Sequence, residues 1–591
     1  MKKIVLSVFA CAVIFSAIGQ EEAPSSERII LKDILAEIGK PEISTHIRIL
    51  EKMGKFNLLP AESPTSDNAF RAFHRDLRNT VLFIPASGRP FLHNQVPSRE
   101  EIENPALGMN LAKGQKSFSV FGVVPSDELK DVKVSVGEMK GASGKIFPAD
   151  KIRIYFLKHL MKSTDQYVFR PFPFGMQPLD GPVGLHKGIT YGFAVEATAP
   201  ASQPPDTYSG KITFSSGNVS IEKDMSVKVY DFALLRPEAE RMNWGFYCSL
   251  KDALAADYEF MASYGINTLV INAGVGEAYL ERIRNIRKSG IDGILLLDVG
   301  ALDSAIKDIP YTKEWEARYK EQVSAFQKQM KDAGEEGRYI GLIHDEPRET
   351  MLSAWNRTYE QMMIYHKLVG EAAPGMPRGV NPMSDGPVSE RHPLGLYADF
   401  ARTFEMIMPH YWAHCRNMIR LARENPGCRL WSYNDGDNRL AWGLHSWKVG
   451  LKGRTLYNYR PYGENEHPLS PVYMSSREFD GRSFTGNYVV AWKDRIWGTV
   501  TLMNMYEGIN DYKYVYTLEK VIGKASSERK AVAAEAQVFL DKLKSEVPEY
   551  AHSEKFTDGK ESGTGEVDAQ IVTRLDSIRA KLADYIEKMS K

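Results

Sequence analysis

From about residue 236 onward the chain settles into one rhythm, and that rhythm limits its fold more than any other feature. Short β-rich runs alternate with segments of helical spacing. The runs are MNWGFY (242–247), TLVINAG (268–274), GILLLDV (293–299), YIGLIHDE (339–346), RGVNPM (378–383), FEMIMPHY (404–411), RLWSYN (429–434) and RTLYNYR (454–460). Between them lie stretches such as AADYEFMASYG, YLERIRNIRKSG and EARYKEQVSAFQKQMKDAG. Eight such alternations over about 250 residues predict a (β/α)8 barrel.

The chain on either side reads differently. Between about 25 and 235 the apolar residues alternate with period two, as in Met225, Val227 and Val229 around Ser226 and Lys228, or Ile212 and Phe214 after PPDTYSG. Half-buried antiparallel strands follow from that pattern, with others at 132–139, 152–157 and 189–197, and a short helix near 42–53. Beyond 500, EGINDYKYVYTLEKVIG and AVAAEAQVFLDKLKSEV have a period of 3.6 and read as amphipathic helices flanking the barrel. Residues 552–568 are polar and Gly-rich, and read as a loop before a last helix. The expected organisation is multidomain: an N-terminal β-sandwich over 20–235, a (β/α)8 TIM-type barrel over 236–505, and a C-terminal helical region over 506–591.

The first nineteen residues have the form of a secretory signal peptide: Lys2 and Lys3, an apolar run, then Ala17, Ile18 and Gly19 before Gln20. Cys11 lies inside the apolar run, with too little hydrophobic sequence before it for a lipoprotein signal. The expected location is secreted or periplasmic. No later stretch reaches the roughly twenty apolar residues of a membrane span. Cys248, Cys415 and Cys428 are too few for a disulfide framework, and a single bridge, for example Cys415 to Cys428, stays open at this point. With 75 basic and 75 acidic residues the chain gives no electrostatic reason to expect nucleic acid or an anionic membrane as partner. An aromatic content of 11% in a neutral, exported chain suits uncharged polar ligands such as sugars.

If the barrel forms, the residues at the C-terminal ends of its strands line the rim where active sites are built. These are Trp244 and Tyr247, Asn272, Asp298, His344, Asn381, His410 and Tyr411, Tyr433 and Asn434, and Tyr457 and Tyr459. GLIHDEP (341–347) stands out because it sets Asp345 beside Glu346 where an apolar strand ends. A regular strand would put His344 and Glu346 on one face and Asp345 on the other. Pro347 should end the pairing and hold Glu346 extended. Adjacent carboxyls divide labour: repulsion and partial burial keep one protonated as a donor while the other stays ionised. Glycoside hydrolysis uses two carboxyl groups. Neighbours in sequence do not easily straddle an anomeric carbon, so they suit a reaction whose nucleophile is the substrate's own 2-acetamido carbonyl. Asp345 would then orient and stabilise the oxazolinium and Glu346 would protonate the leaving oxygen. The structural alternative is a capped strand end with ion pairs to Arg338 or Arg348.

This strand end joins TYSGKITF and VKVYDFALLRP, RLAWGLHSWKVGLKGRTLYNYR, and EGINDYKYVYTLEK. Together, over roughly 190–520, they resemble glycoside hydrolase family 123 and its broader sandwich-plus-barrel relatives. The resemblance implies an exo-acting, retaining β-N-acetylgalactosaminidase, with the catalytic pair on Asp345 and Glu346. Trp431 and Tyr457 are pocket aromatics by position, and the expected substrate contacts are Trp244, Tyr247, Asn272, His344, His410, Tyr411, Trp431, Tyr433 and Tyr457.

Two other readings remain open. In one, Glu346 is the acid and Asp298 or Asp435 is the nucleophile or base, on sugars without an acetamido group. In the other the chain binds glycans without catalysis. His410 and His414 have the spacing of a metal pair but no accompanying HExxH glutamate, and His410 is read as a partner for sugar hydroxyls, so no metal is expected. No Gly-rich phosphate loop follows any strand, and no cofactor is expected.

Overall fold

The computed structural model describes residues 72–85, 92–104, 106–165, 168–248, 255–347, 358–382, 394–409, 423–460, 488–492, 495–548, 555–557, 560–562 and 569–590, with a few isolated positions outside these ranges. The leader 1–19, the helix expected near 42–53, His410, Tyr411, His414 and Cys415 lie outside the described residues.

The eight expected runs form a closed barrel. Its strands are β1 (Asn243–Tyr247), β2 (Thr268–Asn272), β3 (Leu295–Asp298), β4 (Tyr339–Leu342), β5 (Arg378–Val380), β6 (Met406–Ile407), β7 (Arg429–Tyr433) and β8 (Gly453–Leu456). All pair in parallel, and β8 closes on β1. Alternation along each strand decides which side chains fill the interior. Tyr247, Val270, Leu296, Leu342, Met408, Trp431 and Tyr433 pack together inside. Trp244, Phe246, Leu269, Leu295 and Leu297 belong instead to the cluster beneath the helices. Gly453 is required opposite Trp431, since a Cβ there would fall 2.2 Å from the indole.

The surrounding helices include α1 (Ala255–Ser263), α2 (Glu277–Lys288), α3 (Lys313–Asp332), α4 (Tyr359–Ala372) and α5 (Leu394–Thr403). Thr312 caps α3 by accepting from the Trp315 amide, and Thr358 and Gln361 close a capping box on α4.

Before the barrel, two sheets share one apolar core. A five-stranded sheet joins Val81–Phe83, Lys116–Val124, Tyr191–Thr198, Ile152–Asp165 and Val168–Pro178. The second is built around the antiparallel pair Asp206–Ser216 and Val219–Ala233, with Ala106–Lys113 parallel to the latter. Met225, Val227 and Val229 are buried while Ser226 and Lys228 are not, as the period-two pattern requires. Phe193 of one sheet meets Phe214 of the other edge to face at 6.0 Å.

After the barrel come α6 (Val500–Ile522), α7 (Lys530–Glu546) and α8 (Ala569–Ser590). EGINDYKYVYTLEK lies wholly in α6, and there the amphipathic reading fails. The helix is buried nearly all round, from Leu502 to Leu518, because the barrel, the N-terminal sheets and α8 each cover part of it. Its two most buried carboxylates, Glu507 and Asp511, are matched rather than solvated. Glu507 accepts from the Ser117 hydroxyl at 2.7 Å, the Phe118 amide at 3.0 Å and Arg579. Asp511 takes a forked pair from Arg439 at 2.7 and 3.1 Å and a third bond from Arg579 at 2.6 Å. Gly508 lies against the helical turn Ala441–His445: a Cβ on it would sit 2.4 Å from the Arg439 carbonyl, and one on Gly443 would sit 2.7 Å from the Gly508 carbonyl. Two of the sequence blocks that carried the resemblance are therefore the two sides of one close packing.

Among the described residues no helix is long and apolar enough to cross a membrane, and no group of three or more His, Cys, Asp or Glu side chains could hold a metal ion. Among the described residues, Cys248 and Cys428 are buried and take part in no disulfide.

Candidate active site

The carboxylate pair follows β4, but the strand ends at Leu342, four residues before Glu346. Strand alternation therefore does not govern His344, Asp345 and Glu346. Nor is Glu346 extended, as the following proline predicts: its φ is +48°, in the left-handed region, a conformation that costs a non-glycine residue about 1–2 kcal/mol. One side chain accounts for its retention. Asn381, fully buried at the end of β5, accepts the Glu346 amide hydrogen on Oδ1 at 3.1 Å.

The same asparagine organises Asp345. Asn381 Nδ2 donates to Asp345 Oδ1 at 2.7 Å and to the Tyr247 hydroxyl oxygen at 2.8 Å, and the Tyr247 hydroxyl donates to Asp345 Oδ1 at 2.7 Å. One carboxylate oxygen is thus held by two donors from β1 and β5, while Oδ2 has no hydrogen-bond partner among the described residues. Burial, then the Asp345 charge, raises the Tyr247 phenol well above its ordinary value, so it stays a donor. The Tyr247 ring lies 4.7 Å from that of Tyr433 and 5.9 Å from that of Tyr457, which gives this corner an aromatic wall. Tyr457 is itself pinned by its amide on Asn434 Oδ1 at 2.7 Å.

The other expected contacts fall elsewhere. Trp244 is an outward residue: its indole donates to the Trp442 carbonyl at 3.1 Å and its ring packs edge-on against Tyr512 of α6. Reading it as a rim residue mistook the start of β1 for its end. Trp431 is inside the barrel but one layer too low, level with Gly453 and completely buried, so it fills the interior below the tyrosines. His344 turns toward the helices, bonding the Asp345 carbonyl through Nδ1 at 2.9 Å and facing the Tyr365 ring of α4 at 6.0 Å. Asn272 is exposed at the end of β2, opposite Asp298 in register. The segments 249–254, 348–357, 383–393, 410–419 and 461–487, which follow β1, β4, β5, β6 and β8 in the chain, lie outside the described residues.

The two alternative carboxylates are differently placed. Burial, and after it the nearby Asp345 charge, raises Asp298 well above the carboxylate range, against the backbone amides of Gly300 and Ala301 that it accepts from. That shift disfavours the ionised form that a nucleophile or general base requires. Asp435 is fully buried, 3.7 Å from the equally buried Arg454 guanidinium, and accepts from the Ser432 hydroxyl at 3.1 Å. It is committed to that pair. In the structural alternative, Arg338 is engaged with Glu335 rather than with the carboxylates, and Arg348 lies outside the described residues.

What the sequence did not reveal was the part of Asn381. It stood out only as one polar strand end among several, and its contact with Asp345 spans 36 residues. The signal that could have found it is topological, since β4 and β5 are neighbours in any such barrel.

No family model matches the chain, and no curated protein matches it by sequence. By structure it superposes on a family 123 glycoside hydrolase from Clostridium perfringens, described for glycolipid glycan hydrolysis, with a TM-score of 0.65 and 11% identity, over 86% of this chain and 98% of that one. A family 30 subfamily 8 xylanase from Clostridium acetobutylicum gives a TM-score of 0.26 at 16% identity, over 37% of this chain and 64% of its own, too loose a match to bear on the argument. The chain shares the fold of the Clostridium perfringens enzyme.

Proposed function

We propose that this chain is an exported retaining glycoside hydrolase that removes terminal β-linked N-acetylgalactosamine by participation of the substrate's acetamido group, its barrel buttressed by an N-terminal β-sandwich. The observation that carries the reading is Asp345, with Oδ1 fixed by Tyr247 and Asn381 and Oδ2 left to accept. In the first step the acetamido carbonyl oxygen attacks C1. Asp345 Oδ2 accepts the amide N–H and balances the positive charge of the forming oxazolinium, while Glu346 gives its proton to the departing glycosidic oxygen. In the second step the Glu346 carboxylate takes a proton from water, whose oxygen attacks C1 and opens the ring with net retention. Fixed donors hold Asp345 in place before the charge develops. The shared fold with an enzyme described for glycolipid glycan hydrolysis supports the substrate class, and the burial that disfavours ionised Asp298 and the pairing of Asp435 weigh against a second carboxylate.

The test is release of p-nitrophenol from the β-N-acetylgalactosaminide, the β-N-acetylglucosaminide and the β-galactoside. Activity confined to acetamido sugars, lost in Glu346→Gln and Asp345→Asn and blocked by a thiazoline mimic of the oxazoline, is the expected result. Turnover of the plain galactoside sinks the proposal.

A further inference from the structure

At the end of the barrel away from the carboxylates, three parts of the molecule leave a cleft of about 530 Å³. The turn Lys113–Gln115 comes from the N-terminal sheets; Ile266, Asn267, Ser289 and Gly290 precede β2 and β3; Tyr506, Asn510 and Lys513 come from α6. Its lining holds three cations, Lys113, Arg236 and Lys513, against one carboxylate, the exposed Glu259. Two of the cations are already matched: Lys113 pairs with Asp231 at 2.5 Å and Arg236 with Asp292. Lys513 has no ion pair among the described residues, although it lies near the like charges of Arg236 and Lys116. Burial, then those charges, brings its ammonium down to about 8. Lys116 does not relieve it, for its own amine rests on the rings of Tyr264 at 3.9 Å and Tyr506 at 4.8 Å.

A second observation concerns Gln115, only 4% exposed on the inner wall. The Ala112 amide donates to its Oε1 at 2.7 Å, as does the Tyr514 hydroxyl. An amide N–H needs an acceptor, so this end must be the oxygen. Nε2 is left buried with two hydrogens and no partner. An unpaired ammonium in a lining of three cations and one carboxylate, beside a residue with a buried unmatched donor, favours a ligand that brings negative charge and acceptors.

We propose that this cleft is a second ligand site that takes a small oxyanion-bearing molecule, a phosphate or a sugar carboxylate, with Lys513 as its charged anchor. The volume is within the range of small-molecule sites and exceeds what a single inorganic ion needs, so a sugar acid fills it better than free phosphate. A ligand there touches the N-terminal sheets, the barrel and α6 at once, and ties them together without reaching the carboxylates.

Calorimetric titration of the full chain with inorganic phosphate, glucuronate and glucose at low ionic strength tests this. Phosphate or glucuronate should bind and glucose should not, and the relative strength of the two anions separates a free ion from a sugar acid. Lys513→Gln should weaken binding at least about tenfold, Lys513→Arg should keep it, and Lys145→Gln, on an exposed hairpin turn, should leave it unchanged. Failure of both anions to bind at about 10 mM, or equal binding by the wild type and Lys513→Gln, overturns the proposal. Hydrolysis of the p-nitrophenyl substrates by these variants reports separately on the catalytic reading, since Lys513 lies at the opposite end of the barrel.

Discussion

Tyr247 and Asn381 make a division of labour visible at the scale of single side chains, because they touch the same oxygen of Asp345 but do different things besides. Tyr247→Phe removes one donor and keeps the ring packed on Tyr433. A hydrogen bond to a charged group contributes about 1.5–3 kcal/mol, so kcat for the acetamido substrate should fall roughly tenfold to a hundredfold with little change in Tm. Asn381→Ala also releases the Glu346 amide from its left-handed turn, and should cost more in kcat than Tyr247→Phe. Equal or smaller loss in steady-state kinetics would show that Asn381 does not position both carboxylates. Asp298 supplies a prediction of opposite sign. Its folded pKa is raised, so above the unfolded value near 4 the native state keeps a proton that the unfolded chain has lost, and stability falls as pH rises. Asp298→Asn removes that penalty. Its Tm relative to the parent should be higher at pH 8 than at pH 5, and it should retain turnover; abolished activity would instead favour the second-carboxylate reading.

Among elements, the barrel was legible and the burial of its most conspicuous helix was not. The strand runs could be read because apolar residues, interrupted by helical patterns, leave few other folds, yet the strands themselves are shorter than the runs: FEMIMPHY spans eight positions, of which Met406–Ile407 form β6. The same overextension carried β4 through Glu346, whereas Trp244 was placed on the rim by taking the start of β1 for its end. Asp345 and Glu346 were found because two adjacent carboxylates after an apolar run are unusual by themselves. Their conformation was not, since Asn381 overrides the local preference imposed by Pro347. That EGINDYKYVYTLEK is helical was legible, but a single sequence cannot show that sheets 390 residues earlier cover part of the helix. Its glycine is equally uninformative until the partner is seen. Gly508→Leu would press its side chain into the Arg439 carbonyl and the Trp442 Cβ, 2.4 and 2.9 Å from the first added atom. Overpacking of this kind costs at least about 1–3 kcal/mol, and urea denaturation should show that loss in the midpoint.

For the whole molecule, α6 decides whether the N-terminal sheets and the barrel unfold separately. Glu507 bonds the sheets through Ser117 and Phe118 and the last helix through Arg579, and Asp511 bonds that same arginine and Arg439 beside the barrel. Further contacts repeat the link: Asn510 to the Lys116 carbonyl, Tyr514 to Gln115, and the Leu235 amide to Thr517. Separating the sheets from α6 would leave Glu507 and Arg579, now less than a tenth exposed, short of partners or suddenly hydrated. Units joined only by a flexible linker melt one after the other, whereas units that share a buried charged network melt together. Calorimetry on the parent should therefore give one transition for sheets and barrel. Glu507→Ala leaves Arg579 with the Asp511 carboxylate and the backbone carbonyl of residue 507, and the Ser117 hydroxyl without its acceptor; removing one partner of a buried pair costs about 3–5 kcal/mol. The variant should melt earlier, and the single peak should split as the sheets lose their hold on the barrel. Two resolved transitions in the parent would mean that α6 packs against the sheets without coupling them.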